Sequence, residues 1–449
     1  MEINDKKRVL VLGLGKTGFS CLRYLDRICR VTVLDSRAEP PYKTQVESGS
    51  FRANCRFGDL SLTLSELSEF DLVIKSPGLA KDAEIFDLIE QLSIPVWGDL
   101  DIFALAANKP IVAITGSNGK TTVTDMLGFV INEFTDKKAL VGGNIGTPVL
   151  DLLLSDAEPD FYILELSSFQ IETLNHFKVE VATVLNVSDD HLDRYSSFEA
   201  YRDVKLSLFH RAKHIVVNTD KTANYTLEYQ REIDSTFWLD SGHPVDSKHS
   251  VTVEAGKMTV DGHPLFLTTE LKIKGKHNLL NALAVMAIGQ ILGLKCKELE
   301  KGILAYSGLP HRCQWVGSND GVDYINDSKA TNVGATIAAL EGVSKGENLV
   351  WILGGEGKDA DFSPLVPAAK NRVKQAYCYG KDGLQLHTLM SPHIKSELVP
   401  SLQEAVSKAK TIAKKGDIIL LSPACASLDM FPSFEARGEA FVTALGEAL

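Results

Sequence analysis

Lys120, Thr121 and Glu165 are the residues of this sequence best suited to handling phosphate and a divalent cation. Lys120 and Thr121 lie in the run Gly116-Ser117-Asn118-Gly119-Lys120-Thr121-Thr122, which follows an apolar stretch at residues 111–114 and opens a helical pattern. A strand, a glycine turn and a helix start make a phosphate cradle. Glycines bring N–H groups close to anionic oxygens, the helix N-terminus adds positive potential, a lysine reaches terminal phosphates, and a threonine hydroxyl suits Mg²⁺. Strict spacing would put the first glycine where Ile114 stands; here it falls at Gly116, so the loop is a shortened variant. A nucleoside triphosphate is the expected ligand. Glu165 ends the apolar run 161–164, a position from which a carboxylate can coordinate the Mg²⁺ of a nucleotide. His191, among acids in Asn186-Val187-Ser188-Asp189-Asp190-His191-Leu192-Asp193, is a candidate second metal ligand at another strand end. Lys205, read alone, is a solvated helix face. Asn278 and Asn281 open an apolar helix three residues apart, where two amides on one face could read an adenine edge.

A second glycine turn, Gly13-Leu14-Gly15-Lys16-Thr17-Gly18, follows the apolar strand 8–12, and Asp35 ends the next strand twenty residues after Gly15. This is the dinucleotide fingerprint, which makes a dehydrogenase the first rival reading. The turn suits any diphosphate, however, and Asp35-Ser36-Arg37 suits a uracil or a phosphate as readily as a ribose. Ser76-Pro77-Gly78 closes the strand 71–75 in a tight turn, again where such sheets bind ligands. Near the C-terminus three polar loops follow strand-like runs: Asn326-Asp327-Ser328-Lys329-Ala330-Thr331-Asn332, Gly354-Gly355-Glu356-Gly357-Lys358-Asp359 and Ser422-Pro423-Ala424-Cys425-Ala426-Ser427. Three such loops at one sheet edge form a second substrate surface.

Elements able to position these groups alternate strand and helix throughout, which argues α/β architecture with mostly parallel sheets. The 449 residues suit three domains at about 150 residues each. The pattern restarts at Pro110 and again after Leu309-Pro310-His311-Arg312. The expected division is a Rossmann-like domain at 1–98, a central P-loop ATPase-like domain at 99–308 and a Rossmann-like domain at 309–449. Residues 251–271 alternate like a small hairpin layer inserted on the central sheet. C-terminal strands are expected at 322–325, 349–353, 375–379 and 417–421. A composition of 44% hydrophobic and 23% charged residues is ordinary for a globular protein, and a net charge of −11 argues against binding nucleic acid or an anionic membrane surface. Seven scattered cysteines without metal spacing read as free thiols in a reducing compartment. The start runs directly into a strand, so no signal peptide is expected, and 282–294 is too short to cross a bilayer; a cytoplasmic monomer follows.

A triphosphate site alone leaves a kinase and a nucleotide-gated switch open. The loop at 116–122, the segment Gly143-Asn144-Ile145-Gly146, the His191 segment and Gly275-Lys276-His277-Asn278-Leu279-Leu280-Asn281-Ala282 together resemble the ATP-dependent Mur ligases of bacterial cell-wall synthesis. The resemblance covers essentially the whole chain. Leu309-Pro310-His311-Arg312, the Asn326–Asn332 loop and Ser422–Asp429 are similar to the branch that adds D-glutamate to UDP-N-acetylmuramoyl-L-alanine; sister ligases for other amino acids carry an Asp-Tyr-Ala-His type segment at Asp327-Ser328-Lys329. The resemblance implies that ATP phosphorylates the L-alanyl carboxylate and that the D-glutamate amine attacks the acyl phosphate through a tetrahedral intermediate. A carboxylate beside a γ-phosphate is repelled by about 4 kcal/mol per charge pair at roughly 4 Å, so cations must converge there. It further implies Lys120 on the β/γ-phosphates, Thr121, Glu165, His191 and a carbamylated Lys205 on two Mg²⁺, and Gly116 to Thr122, Asn278, Asn281, Arg312, Asp327 and Lys329 on ATP. Thr331, Lys358, Ser427, Leu428 and Phe434 would hold D-glutamate. Gly15, Lys16, Thr17, Asp35, Ser36, Arg37, Ser76, Pro77, Gly78 and Asn144 would hold the UDP-sugar. Ser433 stands before Phe434 where related ligases can place Asn, which questions a side-chain contact to D-glutamate there.

Overall fold

The computed structural model describes residues 3–76, 79, 84–188, 195–225, 232–239, 246–273, 275–344, 346–357 and 360–446. The chain forms two compact units, Met1–Phe266 with Asn281–Gly302, and Leu267–Leu280 with Ile303–Leu449.

The first unit carries two sheets. β1 (Arg8–Leu12), β2 (Arg30–Asp35), β3 (Asn54–Phe57), β4 (Leu72–Lys75) and β5 (Val96–Trp97) lie in the order β3-β2-β1-β4-β5. Every pairing is parallel. β1 and β4 are buried along nearly their whole length, as strands covered on both faces must be. The strand order reverses beside β1, and the Gly13–Gly18 turn stands at that point, where open parallel sheets bind ligands. The turn needs two of its glycines: Gly13 has φ +94°, and a Cβ on Gly18 would come within 1.8 Å of the Gly13 carbonyl oxygen.

β6 (Ile111–Thr115), β7 (Ala139–Gly143), β8 (Phe161–Glu165), β9 (Val179–Val184), β10 (Ala212–Asn218), β11 (Ile233–Phe237), β12 (Ser247–Glu254), β13 (Lys257–Val260) and β14 (His263–Leu267) form the second sheet. Their order is β14-β13-β12-β11-β10-β9-β6-β8-β7. β6 is central and wholly buried. The hairpin layer expected over 251–271 is instead a continuation of this sheet. β12 pairs parallel to β11 and antiparallel to β13, because β11, buried at all five positions, requires a neighbour on its outer edge.

The second unit is built on β15 (Gln314–Asn319), β16 (Val322–Asn326), β17 (Leu349–Gly354), β18 (Val373–Tyr379), β19 (Ser396–Leu398) and β20 (Ile418–Leu421), ordered β15-β16-β20-β17-β18-β19. The four strands expected from sequence are present within a residue or two. β15 and β19 were not legible, since QWVGSN and SEL carry no apolar run. The antiparallel β15 turns the chain into an otherwise parallel sheet. Among the described residues, no helix is long and apolar enough to cross a membrane.

Candidate active site

β6 delivers the chain to Gly116, and the helix Lys120–Phe134 begins after Gly119, which adopts a left-handed φ of +83°. A Cβ at Gly119 would meet the Asn281 Oδ1 at 2.5 Å, so glycine lets the amide of the helix Lys276–Ile291 approach the loop. The loop is braced from the segment after β9. Asn118 N–H donates to Asn186 Oδ1 at 2.8 Å, Asn186 Nδ2 donates to the Asn118 carbonyl at 3.0 Å, and Ser188 N–H donates to Ser117 Oγ at 2.9 Å. Ser117 Oγ also lies 3.0 Å from the buried Tyr201 hydroxyl. This clamp orders the loop's N–H groups before any ligand arrives, a saving in ordering free energy on binding.

Four sequence-predicted residues meet around this loop. Lys120 Nζ donates to the Gly116 carbonyl at 2.8 Å, and Lys205 Nζ donates to the same oxygen at 3.0 Å. Glu165, only 2% exposed, accepts from the Thr121 hydroxyl at 2.8 Å and from Asn144 Nδ2 at 3.0 Å. The strand register explains this: Glu165 pairs with Ile114 of β6 and with Gly143 of β7, which sets it between the two loops. Lys205 is not a solvated helix face. It is 2% exposed: the Tyr201 ring one turn earlier on the same helix lies 4.7 Å from its amine, and the Gly116 carbonyl, far away in sequence, closes over it, a tertiary contact that local sequence does not report.

A hydroxyl and a carboxylate offer the hard oxygen donors that Mg²⁺ takes, with nucleotide phosphates and water completing an octahedron. No group of three His, Cys, Asp or Glu able to hold a metal occurs among the described residues. His191 and its acidic neighbours Asp189, Asp190 and Asp193 lie outside the described residues, as do Pro77, Gly78 and Lys358.

Asn144 also lines a cleft of about 610 Å³. Gly15, Lys16, Thr17, Asp35, Ser36, Arg37 and Ser76 border it, together with Gly143 and Gly146. Gly15 caps the helix Lys16–Leu25 without a side-chain bond, and a Cβ there would meet nothing within 4 Å. First-turn N–H groups are thus left for an anion. Lys16 Nζ donates to the Gly146 carbonyl, spanning the cleft from the first sheet's turn to the second sheet's. Asp35 lines this cleft and also braces it. It is 2% exposed, and its oxygens accept the Leu14 N–H at 2.7 Å, the Arg37 N–H at 2.9 Å, and Arg37 Nε and Nη2 at 2.8 and 2.7 Å. Burial pushes its carboxyl upward, but the bonds from Arg37 and Leu14 outweigh it and hold Asp35 below the ordinary carboxylate range. Asp35 shapes the turn and orients Arg37, which remains half exposed at the rim.

In the second unit the loops after β16, β17 and β20 meet at the carboxyl edge of the sheet. Asp327, 4% exposed, accepts from Cys313 N–H at 3.0 Å and from Ser422 Oγ at 2.7 Å. Burial raises its carboxyl to about 6, a shift that those bonds and the Arg312 charge offset only in part. His311 and Cys313, on either side of Arg312, take left-handed φ values of +61° and +40°. Such non-glycine strain costs about 1–3 kcal/mol per residue and persists only where its surroundings enforce it. Here Asp327 holds Cys313, and Gln314 Oε1 accepts the His311 N–H at 3.0 Å. Lys329 lies 4.1 Å above the Phe434 ring. Ser427 is buried, while Thr331 and Leu428 are exposed. Ser433 caps the helix Phe434–Leu445, its Oγ accepting the Ala436 N–H at 3.2 Å, so this position is spent on the helix start. Asn278 belongs to this unit by chain segment.

Sequence reasoning missed Tyr201, Asn186 and Ser188, whose backbone-loop contacts are long-range, and Arg437. The last carried a signal: Phe434, Arg437 and Phe441 share one helical stripe, so a charge stands on an apolar face.

Family models match along the chain: Mur ligase MurD-like, N-terminal domain over residues 7–98, Mur ligase middle domain over 114–289, and Mur ligase, glutamate ligase domain over 311–425. A UDP-N-acetylmuramoylalanine-D-glutamate ligase of Nitrosococcus oceani is 40% identical over 443 residues, covering 98% of this chain and 96% of that one. Its counterpart of the same name in Haemophilus ducreyi is 39% identical over 444 residues, covering 99% and 98%. Among solved structures, the UDP-N-acetylmuramate-alanine ligase of Thermotoga maritima superposes with a TM-score of 0.55 at 18% identity, covering 98% and 99%. A pseudomurein peptide ligase type C of Methanothermus fervidus gives 0.51 at 20% identity, covering 93% and 96%. At those identities the two structures speak for the fold.

Proposed function

The chain belongs to the Mur ligase family, and we propose on that premise that it couples ATP cleavage to amide formation between the L-alanyl carboxylate of UDP-N-acetylmuramoyl-L-alanine and the amine of D-glutamate, a step of peptidoglycan precursor synthesis. The acceptor choice rests on the full-length similarity to ligases of that printed name. The observation that carries the chemistry is the gathering of Lys120, Lys205, Thr121 and Glu165 around the Gly116–Thr121 loop.

Lys120 exchanges its carbonyl partners for the β/γ-phosphates, and the loop N–H groups hold the remaining oxygens. Thr121 and Glu165 would hold Mg²⁺, which would supply positive charge between the two anions. The substrate carboxylate takes the γ-phosphoryl group, ADP leaves, and the D-glutamate amine adds to the acyl carbon; collapse of the tetrahedral adduct gives the amide and inorganic phosphate. Asn278 and Asn281 serve the adenine, Asp327 the ribose, and Arg312 and Lys329 the phosphates. Thr331, Lys358, Ser427, Leu428 and Phe434 receive D-glutamate, with the UDP-sugar in the Gly15–Arg37 cleft.

Lys205 carries a carbamate in this reading, and it and His191 would hold a second Mg²⁺. Two ammonium groups on one carbonyl oxygen lie within about 6 Å of each other, and a buried ammonium beside another is disfavoured. Capture of CO₂ by the neutral amine, with release of a proton, replaces that repulsion by an anion facing Lys120. The working division remains 1–98 for the UDP-sugar, 99–308 for ATP and 309–449 for the amino acid, in a cytoplasmic monomer. The net charge of −11 and seven free cysteines agree with a protein that works away from nucleic acid and in a reducing compartment.

The test is phosphate release from ATP, Mg²⁺ and UDP-N-acetylmuramoyl-L-alanine with each amino acid in turn. Release that requires D-glutamate is expected. Release that requires another amino acid would keep the family and change the acceptor, and release needing none would end the ligase reading.

A further inference from the structure

Arg437 is wholly buried on the helix Phe434–Leu445. Its Nε donates to Ser328 Oγ at 2.9 Å and one terminal nitrogen to the Ser328 carbonyl at 2.8 Å. The other terminal nitrogen donates to the Cys425 carbonyl at 3.0 Å and reaches the Gly354 carbonyl at 3.5 Å. Ser328 and Cys425 lie in the loops after β16 and β20, and Gly354 ends β17 where its loop begins; the three strands are neighbours in the sheet. One side chain therefore fastens all three polar loops from beneath. Gly355 lies against it so closely that a Cβ would stand 3.3 Å from the guanidinium. The Ser328 hydroxyl donates in turn to the Phe434 carbonyl at 2.8 Å, tying the first loop to the start of the same helix.

Among the described residues no carboxylate forms an ion pair with Arg437; its partners are a hydroxyl and carbonyl oxygens. A buried cation with no carboxylate in contact is costly even with the Asp429 charge acting on it, while an apolar side chain of similar length would leave the Ser328 and Cys425 carbonyls without these donors. The charge by itself thus gives no reason for an arginine at this position. Its fan of donors does: a guanidinium offers five N–H groups in a fixed plane, and only such a plane reaches three separate loops at once.

We infer that Arg437 is a positioning residue for the amino-acid substrate, holding the loops that begin at Ser328, Gly354 and Cys425 in the mutual register that D-glutamate binding requires. The inference rests on the reading above that this sheet edge receives D-glutamate. The guanidinium touches no substrate; it acts through the loops, and its positive charge beneath them also favours a dianionic ligand over a monoanionic one.

Steady-state kinetics of the full chain test this with Arg437→Met and Arg437→Lys against the wild type, varying D-glutamate and UDP-N-acetylmuramoyl-L-alanine separately. Arg437→Met is expected to raise the D-glutamate KM about 30-fold, the equivalent of roughly one charge-assisted hydrogen bond, while the UDP-substrate KM stays within about twofold. Arg437→Lys, which keeps the charge but not the fan, is expected to fall nearer the Met variant than the wild type. A D-glutamate KM unchanged in both variants, or both KM values rising together, overturns the inference. So does a lysine variant equal to wild type. If the Met variant fails to fold, the Lys variant and Arg437→Ala with added guanidinium decide: recovery of a low D-glutamate KM by the free ion supports the role, and active enzyme with no KM change refutes it. Wild-type phosphate release that ignores D-glutamate would instead remove the underlying reading.

Discussion

Asp327→Asn separates what the carboxylate costs the fold from what it gives the site. Burial raises this carboxyl from 3.8 to about 6, so the folded protein binds its proton more tightly than the unfolded chain does. At pH 8 both states are ionised, and the native state then bears the whole penalty, about 3 kcal/mol for a shift of roughly two units. As pH falls, the folded carboxyl takes up its proton first, and at pH 5 the penalty is down to about 1.5 kcal/mol. Asparagine has the same shape and no charge. Its oxygen still accepts the Cys313 N–H, and its amide donates to Ser422 Oγ, whose proton turns to Thr336 Oγ1 at 3.1 Å. The variant should therefore be more stable than wild type, with the advantage about 1.5 kcal/mol larger at pH 8 than at pH 5. Urea unfolding followed by tryptophan fluorescence reads this directly, Trp315 and Trp351 lying in the same sheet. The extra gain at pH 8 corresponds to a midpoint shift of about 0.5–1.5 M. Activity should move the other way: loss of a charged acceptor for the ribose raises the ATP KM about tenfold or more. A stability difference that is the same at both pH values would refute the reasoning, whatever its size.

Gly119→Ala places a Cβ on a left-handed residue, 2.5 Å from Asn281 Oδ1; strain of about 1–2 kcal/mol plus that clash should raise the ATP KM at least about tenfold and leave the UDP-substrate KM unchanged in the same assay. Glu165→Gln keeps the size but removes the charge, so half-maximal phosphate release should need about tenfold more Mg²⁺, and an unaltered Mg²⁺ titration would exclude Glu165 as a metal donor. Asp35→Asn should raise the UDP-substrate KM and destabilise the protein near neutrality; because the Asp35 carboxyl is held low, its stabilisation is present above the ordinary carboxylate range and lost as pH falls, so the stability gap between variant and wild type should close in acid. Lys205→Ala should be inactive in phosphate release and regain activity with added short carboxylic acids, and full activity without them would dismiss the carbamate.

The phosphate loop was legible because two independent patterns coincide there: an apolar run long enough for a buried strand, and glycines spaced to admit phosphate. The first sheet's turn was legible for the same reason. Asp35 was readable as present at the strand end but not as occupied, since Leu14 and Arg37 claim its oxygens only once β1 and β2 pair. Lys205 shows the reverse failure. Its helix segment is polar, and although Tyr201 stands one turn away, nothing local says that the Gly116 carbonyl covers the amine. The edge strands β15 and β19 were missed because edges carry little apolar periodicity, and the hairpin at 251–271 was read as an insertion on the central sheet rather than as its continuation because the pairing of β12 with β11 spans unpatterned sequence. Acceptor choice lay beyond any residue pattern and came from resemblance.

The pairing of Glu165 with both Ile114 and Gly143 divides the central sheet, for an engineer, into rigid and permissive parts. One residue added or removed within Phe161–Glu165 would exchange Glu165 and Leu164 between faces, burying an acid against the core and presenting leucine to the nucleotide. The Ala255-Gly256 turn joining β12 to β13 is different: both residues are exposed, Gly256 faces open space, and β12 stands four places from β6 in the sheet. An affinity tag or fluorophore-bearing loop spliced at that turn should leave phosphate release intact, which gives an attachment point for immobilised screening of ligands at the nucleotide loop.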